Sequence, residues 1–479
     1  MPAATHARFA NWGSADCTPG CQWGDESKGK IIDYLLSMMG YDLTVRYNGG
    51  PNAGHTVVVG DKKHALHHIP SGIIGGYAPC LIGPGTVLYL PKLFGEIETL
   101  EKAGIEVTPD NFHISDRAQI ITEFNRKMDA LTKGKIGTTG RGIGPTYAAE
   151  ADRTNPRVME LFDEAALREL SEESMRRTNF MIKKYYKDNP IDIDQEIDRL
   201  LELGERLRPF VVDATELALN TLKAGKDILL EPGQGFYLDI KHGTYPFVTS
   251  SHPIPAGASV TLGIPPQVIR EVVGVTRAYN ARVGEGPFPG EWGDYEEVKR
   301  REDPDFGGEK PGPLTDEQIA MALSGDRYWM GRWVRVDGNE RGTTTDRPRR
   351  TGNTHWGMNK YAGDVSGVTQ WAVMKIDVLG GKPVKPILGY KVRGSIKDVH
   401  FGDGGEPIYG KEYGWPEITE AQAEQMVAGG FDSLPEGVQD FLLDFAEFTG
   451  IPVGYVSMSP KRELTVAKNM LERTMEKIA

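Results

Sequence analysis

Apolar positions along the chain fall into short runs and helical stripes that alternate. Ile31, Ile32, Leu35, Leu36 and Met39 recur at three- and four-residue spacing, which predicts a helix over 30–39. Apolar runs at 43–47, 56–59, 79–89, 227–230, 268–284, 370–374 and 451–456 predict strands, and stripes at 92–103, 157–188, 192–224 and 463–478 predict further helices. This alternation predicts an α/β fold: a large, mostly parallel central sheet flanked by helices, with a helical subdomain and loop insertions. Residues 1–479 are taken as a single domain, with the helical subdomain at 157–224. The stretch 292–326 is rich in Gly, Pro and charge, so an insertion is expected over 290–340. Residues 1–21 hold no apolar run of the kind that leads into a glycine loop, so a first strand there is expected to be degenerate or missing.

Composition removes several classes. Lys plus Arg number 55 against 67 Asp plus Glu, a net charge of -12, which argues against a general nucleic-acid or acidic-membrane surface. A phosphate site must then be a local basic patch. Cys17, Cys21 and Cys80 are too few for a disulfide framework and suit free thiols in a reducing, cytoplasmic setting. No run of about 18 apolar residues is present to span a bilayer.

The candidate chemistry lies in loops. Residues 22–35, QWGDESKGKIIDYL, combine glycines, lysines and carboxylates, so backbone amides and ammonium groups suit phosphate while Asp25 and Glu26 remain for other chemistry. The spacing Gly24-x-x-x-x-Gly29-Lys30 matches a Walker A loop up to its last position, where Ile31 replaces the metal-binding hydroxyl residue. A Gly/Lys-rich turn at a helix start is the bland alternative. The turn 48–56 (NGGPNAGHT) is dense in glycine, and His55 within it has little core to join and is expected to be exposed. Residues 135–147 (KIGTTGRGIGPTY) are expected to form another phosphate-facing loop, and 231–235 and 242–251 two further site segments. In TTTDRPRR, 343–350, the arginines suit carboxylates or phosphate through bidentate contacts. Lys375-Ile376-Asp377 at a strand's carboxyl end suits the N1–H and 2-amino group of guanine.

With QWGDESKGK, NAGHT, GTTGRGIGP, GQG, HGTYPFVTSS, ARVGEGPFP, TTTDRPRR and KID in one order, the sequence resembles the adenylosuccinate synthetase family, GTP-dependent ligases that join aspartate to inosine monophosphate (IMP). The resemblance implies Asp25 as the base that also ligates Mg²⁺, His55 as a general acid, and the Gly54 carbonyl as a second metal contact. It implies an IMP site of Asp25, Lys28, Asn52, His55, Thr139, Arg153, Gln234, Thr249, Val283 and Arg347, with Arg153 reaching across a homodimer. Aspartate would meet Thr345, Arg347 and Arg349. GTP would meet Gly24, Gly29, Lys30, Gly54, Thr56, Arg349, Lys375, Asp377, Ser457 and Ser459. Ser27, Asp346, Pro348 and Ser459, with Pro232 and Gly233, depart from the family's usual residues. One alternative is the family's viral branch, which aminates deoxyguanylate. A non-catalytic guanine-nucleotide switch is a rival from another class, and an inactive paralogue is a third reading.

Overall fold

The computed structural model describes residues 7–59, 62–132, 140–342, 347–392, 395–397 and 405–478. Thr139, Thr345 and Asp346 lie outside the described residues, as do residues 135–138 of the glycine loop expected at 135–147. The chain divides into two compact units, taken separately below: Met1–Pro19, Ile32–Gln234 and Leu238–Glu271 form one, and Gly20–Ile31, Gly235–Tyr237 and Val272–Ala479 the other.

The first unit is built on a six-stranded sheet in the order Ala15–Cys17, Ile228–Leu230, Leu43–Arg46, Cys80–Ile82, Phe112–Ser115, Val211–Val212. Every pairing is parallel. Ile228, Leu229 and Leu230 are all fully buried, as the continuous apolar run of a strand covered on both faces requires. The helices Leu90–Lys102, Glu164–Lys184 and Ile193–Leu207 contribute Leu93, Ile97, Leu167, Met175 and Leu200 to the core beside Phe112 and Ile114. Asp163 and Asp192 cap two of these helices by accepting backbone N–H bonds from Ala166 and Gln195.

Several expected boundaries are corrected. Of the two alternatives for the first strand, degenerate or missing, the degenerate one holds: it runs Ala15–Cys17, and its middle residue is Asp16, whose carboxylate accepts from the Tyr41 hydroxyl at 2.9 Å, so it has no apolar signature. The helix expected over 192–224 is broken at Pro209, where a 3-10 turn leads into strand Val211–Val212 before helix Ala214–Lys223. Residues 56–59 belong to strand His55–Val59, which pairs antiparallel with Lys62–Leu66 and lies outside the parallel sheet. The second half of the loop expected at 135–147 is helical from Ile143.

In the second unit Val273–Arg277, Gln370–Met374 and Val453–Ser457 are parallel neighbours, with Thr465–Val466 antiparallel beside the last. The run read as one strand over 268–284 is therefore two, because Asn280–Arg282 pairs antiparallel with Arg350–Gly352. The region 290–340 holds helices Tyr295–Glu302, Asp316–Leu323 and Arg327–Asp337. The last helix is shorter than 463–478 predicted, running Met470–Ile478, because Thr465–Val466 is strand. No described helix is long and apolar enough to cross a membrane.

Candidate functional site

In the second unit the chain turns at Gly24, Asp25 and Ser27, all at positive φ (87°, 59° and 70°), before helix Lys28–Met39 begins. Glu26 holds this loop from inside. Its buried carboxylate accepts the backbone N–H groups of Gln22 (3.1 Å) and Gly24 (2.7 Å) and pairs with Lys28 at 2.7 Å. Room for that carboxylate needs glycine: a Cβ on Gly20 would sit 2.2 Å from one Glu26 oxygen, and one on Gly235 would sit 2.3 Å from the other. The third residue of the GQG motif is thus fixed by packing.

The loop presents Asp25 outward, with its side chain 34% exposed. Arg349 Nη2 lies 2.8 Å from its carboxylate, and the Arg277 guanidinium donates to its backbone carbonyl. Burial raises the Asp25 carboxyl, but Arg349, Arg277 and Lys28 outweigh it and hold the group below its ordinary value.

Behind this lies a charge cluster that sequence reasoning missed. Glu340 is fully buried and contacts Arg277 at 3.0 Å, Arg349 at 2.9 Å, Lys375 at 2.5 Å and the Tyr279 hydroxyl. Burial opposes its ionisation, yet the three cations hold it well below the usual carboxylate range. These partners come from the ends of strands Val273–Arg277 and Gln370–Met374 and from the chain before Arg350–Gly352, so only the fold unites them. A single Glu after a helix gives no sequence signal.

The arginines of 347–350 divide their work. Arg349 faces Asp25 and Glu340, while Arg347 is half exposed and meets Asp305 at 3.2 Å. Arg350, one of the three expected to chelate a ligand, is instead committed inward to Glu291 and the carbonyls of Gly284 and Gly286. Lys375, at φ 61°, spends its ammonium on Glu340 and the Gly338 carbonyl. Asp377 differs: its Oδ1 is buried without a hydrogen-bond partner, and burial raises its carboxyl despite Lys375 and Lys30 nearby. Lys30 binds Ser457 and the carbonyls of Ser459 and Leu464, Gly29 is buried in the first helical turn, and Val283 follows its strand half exposed.

In the first unit His55 is 4% exposed, correcting the expectation of an exposed loop. It opens a strand, and its Nδ1 meets the fully buried Glu231 and lies 2.9 Å from Arg46 Nη2. Glu231 also pairs with Arg46 and accepts from the Ser71 backbone N–H at 2.7 Å. Burial works against its charge, but Arg46 and His55 hold it down to about 2. Near the same strand ends, Gln234, at φ 57°, donates to Asn52 at 3.2 Å and accepts from Asn48. Gly54 is exposed, and of Thr56 only the backbone is described. Thr249 donates its N–H to the Leu238 carbonyl and has a buried hydroxyl without a partner. Arg153 is exposed at φ 62° beyond helix Ile143–Ala151.

Parallel strands whose carboxyl ends carry glycine turns, paired carboxylates and arginines define an α/β nucleotide-dependent enzyme. The sequence profile of adenylosuccinate synthetase matches residues 18–466. The chain belongs to the adenylosuccinate synthetase family, and is an enzyme of the carbon–nitrogen ligase type. The adenylosuccinate synthetase of Bifidobacterium adolescentis is 40% identical over 464 residues, 94% of this chain and 98% of that protein. The fully ligated adenylosuccinate synthetase of Plasmodium falciparum superposes with a TM-score of 0.77 at 29% identity, over 95% of this chain and all of that one. The succinoaminodeoxyadenylate synthetase of cyanophage S-2L, solved with dGMP and dATP, shares the fold at TM-score 0.56 and 19% identity, over 98% of this chain and all of that one.

Proposed function

We propose that the enzyme joins L-aspartate to IMP with GTP as phosphoryl donor, giving adenylosuccinate, GDP and phosphate on the route to AMP. Asp25 takes the N1 proton of hypoxanthine, and the resulting O6 anion attacks the γ-phosphorus as its bond to GDP breaks. The amine of aspartate then adds at C6 and expels the O6 with its phosphoryl group as phosphate. His55 donates to the departing GDP side, and Glu231 holds its Nδ1 face. Arg349 and Arg347, with Thr345, receive the aspartate carboxylates. Lys28, Asn52, Thr139, Gln234, Thr249 and Val283 hold IMP, and Asp377 reads guanine.

The observation that carries this reading is Asp25 itself, an ionised, outward-facing carboxylate held in a glycine turn beside Arg349. It also fits Mg²⁺, a hard cation that takes one or two carboxylates and completes its shell with phosphates and water. The Asp25 carboxylate and Gly54 carbonyl would hold the ion, which supplies charge neutralisation at the transferring phosphoryl group.

We further propose a cytoplasmic homodimer in which the exposed Arg153 reaches the partner's nucleotide, with 157–224 as the helical subdomain and 290–340 as the insertion. The testing experiment is substrate screening of purified protein with IMP, GMP, dIMP and dGMP, each with GTP and aspartate. Adenylosuccinate formation only with IMP supports the reading. Preference for dGMP makes the chain a viral-type enzyme, and phosphate release without aspartate or a purine monophosphate makes it a nucleotide switch.

A further inference from the structure

The motif that contains Lys30 assigns it to phosphate, but its geometry assigns it elsewhere. An ammonium group has three N–H donors. Those of Lys30 meet three protein acceptors: Ser457 Oγ at 2.7 Å, the Ser459 carbonyl at 2.6 Å and the Leu464 carbonyl at 3.0 Å. The side chain is 7% exposed. No donor is left over for a phosphate oxygen. All three acceptors lie in one turn, which leaves strand Val453–Ser457 and returns as Thr465–Val466. The Leu464 carbonyl also accepts the Met458 N–H at 3.1 Å, so Lys30 clamps the same closure that the backbone bond makes.

That turn sits beside Asp377, whose Oδ1 is buried without a hydrogen-bond partner. Gln370–Met374, the strand leading to Asp377, is the parallel neighbour of Val453–Ser457, and the Ile376 N–H donates to the Ser457 carbonyl at 3.3 Å. A planar base that brings two adjacent donors to Asp377 would lie against the turn that Lys30 shapes. At its other end Lys30 donates its backbone N–H to the Ser27 carbonyl at 3.1 Å, so one residue joins the phosphate loop to the 457–464 turn.

We propose that Lys30 is a positioning residue that sets the guanine seat at 457–464, and not a phosphate ligand. The inference rests on the reading of GTP as donor. Burial pushes the ammonium down to about 7, while Asp377 and Glu463 favour its charged form.

The test compares kcat/KM for GTP and inosine triphosphate, which lacks the 2-amino group, in wild type, Lys30→Met, Lys30→Arg and Ser457→Ala. Thermal melts establish that each variant is folded. A loosened seat loses the 2-amino contact, so the preference for GTP shrinks roughly tenfold or more in Lys30→Met, the scale of one hydrogen bond to a charged group. Ser457→Ala shifts the ratio the same way, and Lys30→Arg recovers much of the preference. Equal loss with both nucleotides, leaving the ratio unchanged, assigns Lys30 to phosphate and overturns the proposal. If Lys30→Met does not fold, an unchanged ratio in Ser457→Ala overturns it as well. A wild type indifferent between the two nucleotides removes the guanine seat itself, and with it the donor reading.

Discussion

Arg349 and Asp25 form an ion pair at 2.8 Å in which the arginine is held from behind, by Glu340 at 2.9 Å from its other terminal nitrogen. The pairing keeps Asp25 ionised and oriented, which is what a base needs at neutral pH. Asp25→Asn is expected to abolish ligation and leave the melting temperature nearly unchanged. An amide cannot accept the proton, and loss of a positioned base costs about 10² to 10⁴ in rate. Because the Asp25 carboxyl lies below its ordinary value, it does not account for any loss of wild-type activity above about pH 4. Near-wild-type turnover in the variant would remove Asp25 from the mechanism.

Glu340→Gln removes the anchor of three cations at once. Breaking such a buried cluster costs about 3–5 kcal/mol, read by urea unfolding. In protein that remains folded, the expected signature is a higher KM for aspartate with KM for IMP little changed, because Arg349 loses its support. Glu340→Asp should recover part of the difference. A uniform loss in both constants would make Glu340 structural only.

Glu231 gives a pH prediction with a definite sign. Its folded value of about 2 lies below the ordinary value of about 4.3. The stability it contributes is therefore complete above the unfolded value and is lost as pH falls from about 4 toward 2. Glu231→Gln should lower stability at pH 7 and flatten that acid limb in equilibrium unfolding. His55→Asn is expected to cut turnover and also to destabilise, since His55 is buried against Glu231. An acid limb equally steep in the Glu231 variant would count against the assignment.

Much of this was legible in the sequence, for reasons that differ by element. Helix Lys28–Met39 and strands Ile228–Leu230 and Gln370–Met374 carry strong apolar periodicity or continuous burial, and they lie where the pattern predicts. Strand Ala15–Cys17 escapes because three residues with Asp at the centre have no pattern to read. The site divides similarly. Asp25, Arg349 and Asp377 sit in conspicuous strings, whereas Glu340 acts only through partners 9 to 63 positions away in sequence. Burial of His55 was hidden because a glycine-rich string says nothing about Glu231 waiting in a distant strand. The same limit applies to Arg350, whose neighbours in sequence suggest a ligand and whose partner in space is Glu291.

The proposed assembly predicts complementation. Arg153 is exposed at positive φ just beyond helix Ile143–Ala151. Arg153→Leu and Asp25→Asn protein should each be inactive alone. Mixed under conditions of subunit exchange, they should regain up to about a quarter of wild-type activity, because a hybrid dimer holds one site free of both changes. No rescue, with exchange confirmed by a tagged subunit, would place Arg153 outside a shared site.

The last prediction concerns the choice of nucleotide. The Asp377 Oδ1 is buried without a partner, and burial already raises the carboxyl, so the site is incomplete until donors arrive. Guanine brings two adjacent donors, N1–H and the 2-amino group, which one carboxylate accepts as a charge-assisted pair. Adenine brings an acceptor at N1 and no 2-amino group, and so leaves the carboxylate unpaired. Sites built on hydrogen bonding reject an analogue lacking the donors by as much as roughly 10⁴-fold. Wild type should therefore use GTP and reject ATP. Asp377→Asn should weaken GTP use and improve use of xanthosine triphosphate, whose 2-oxo group accepts from the new amide. Competition kinetics with the three nucleotides read the exchange directly. A wild type that prefers ATP, or a variant that keeps its full preference for GTP, would mean that Asp377 only ends its strand and that the base is read elsewhere.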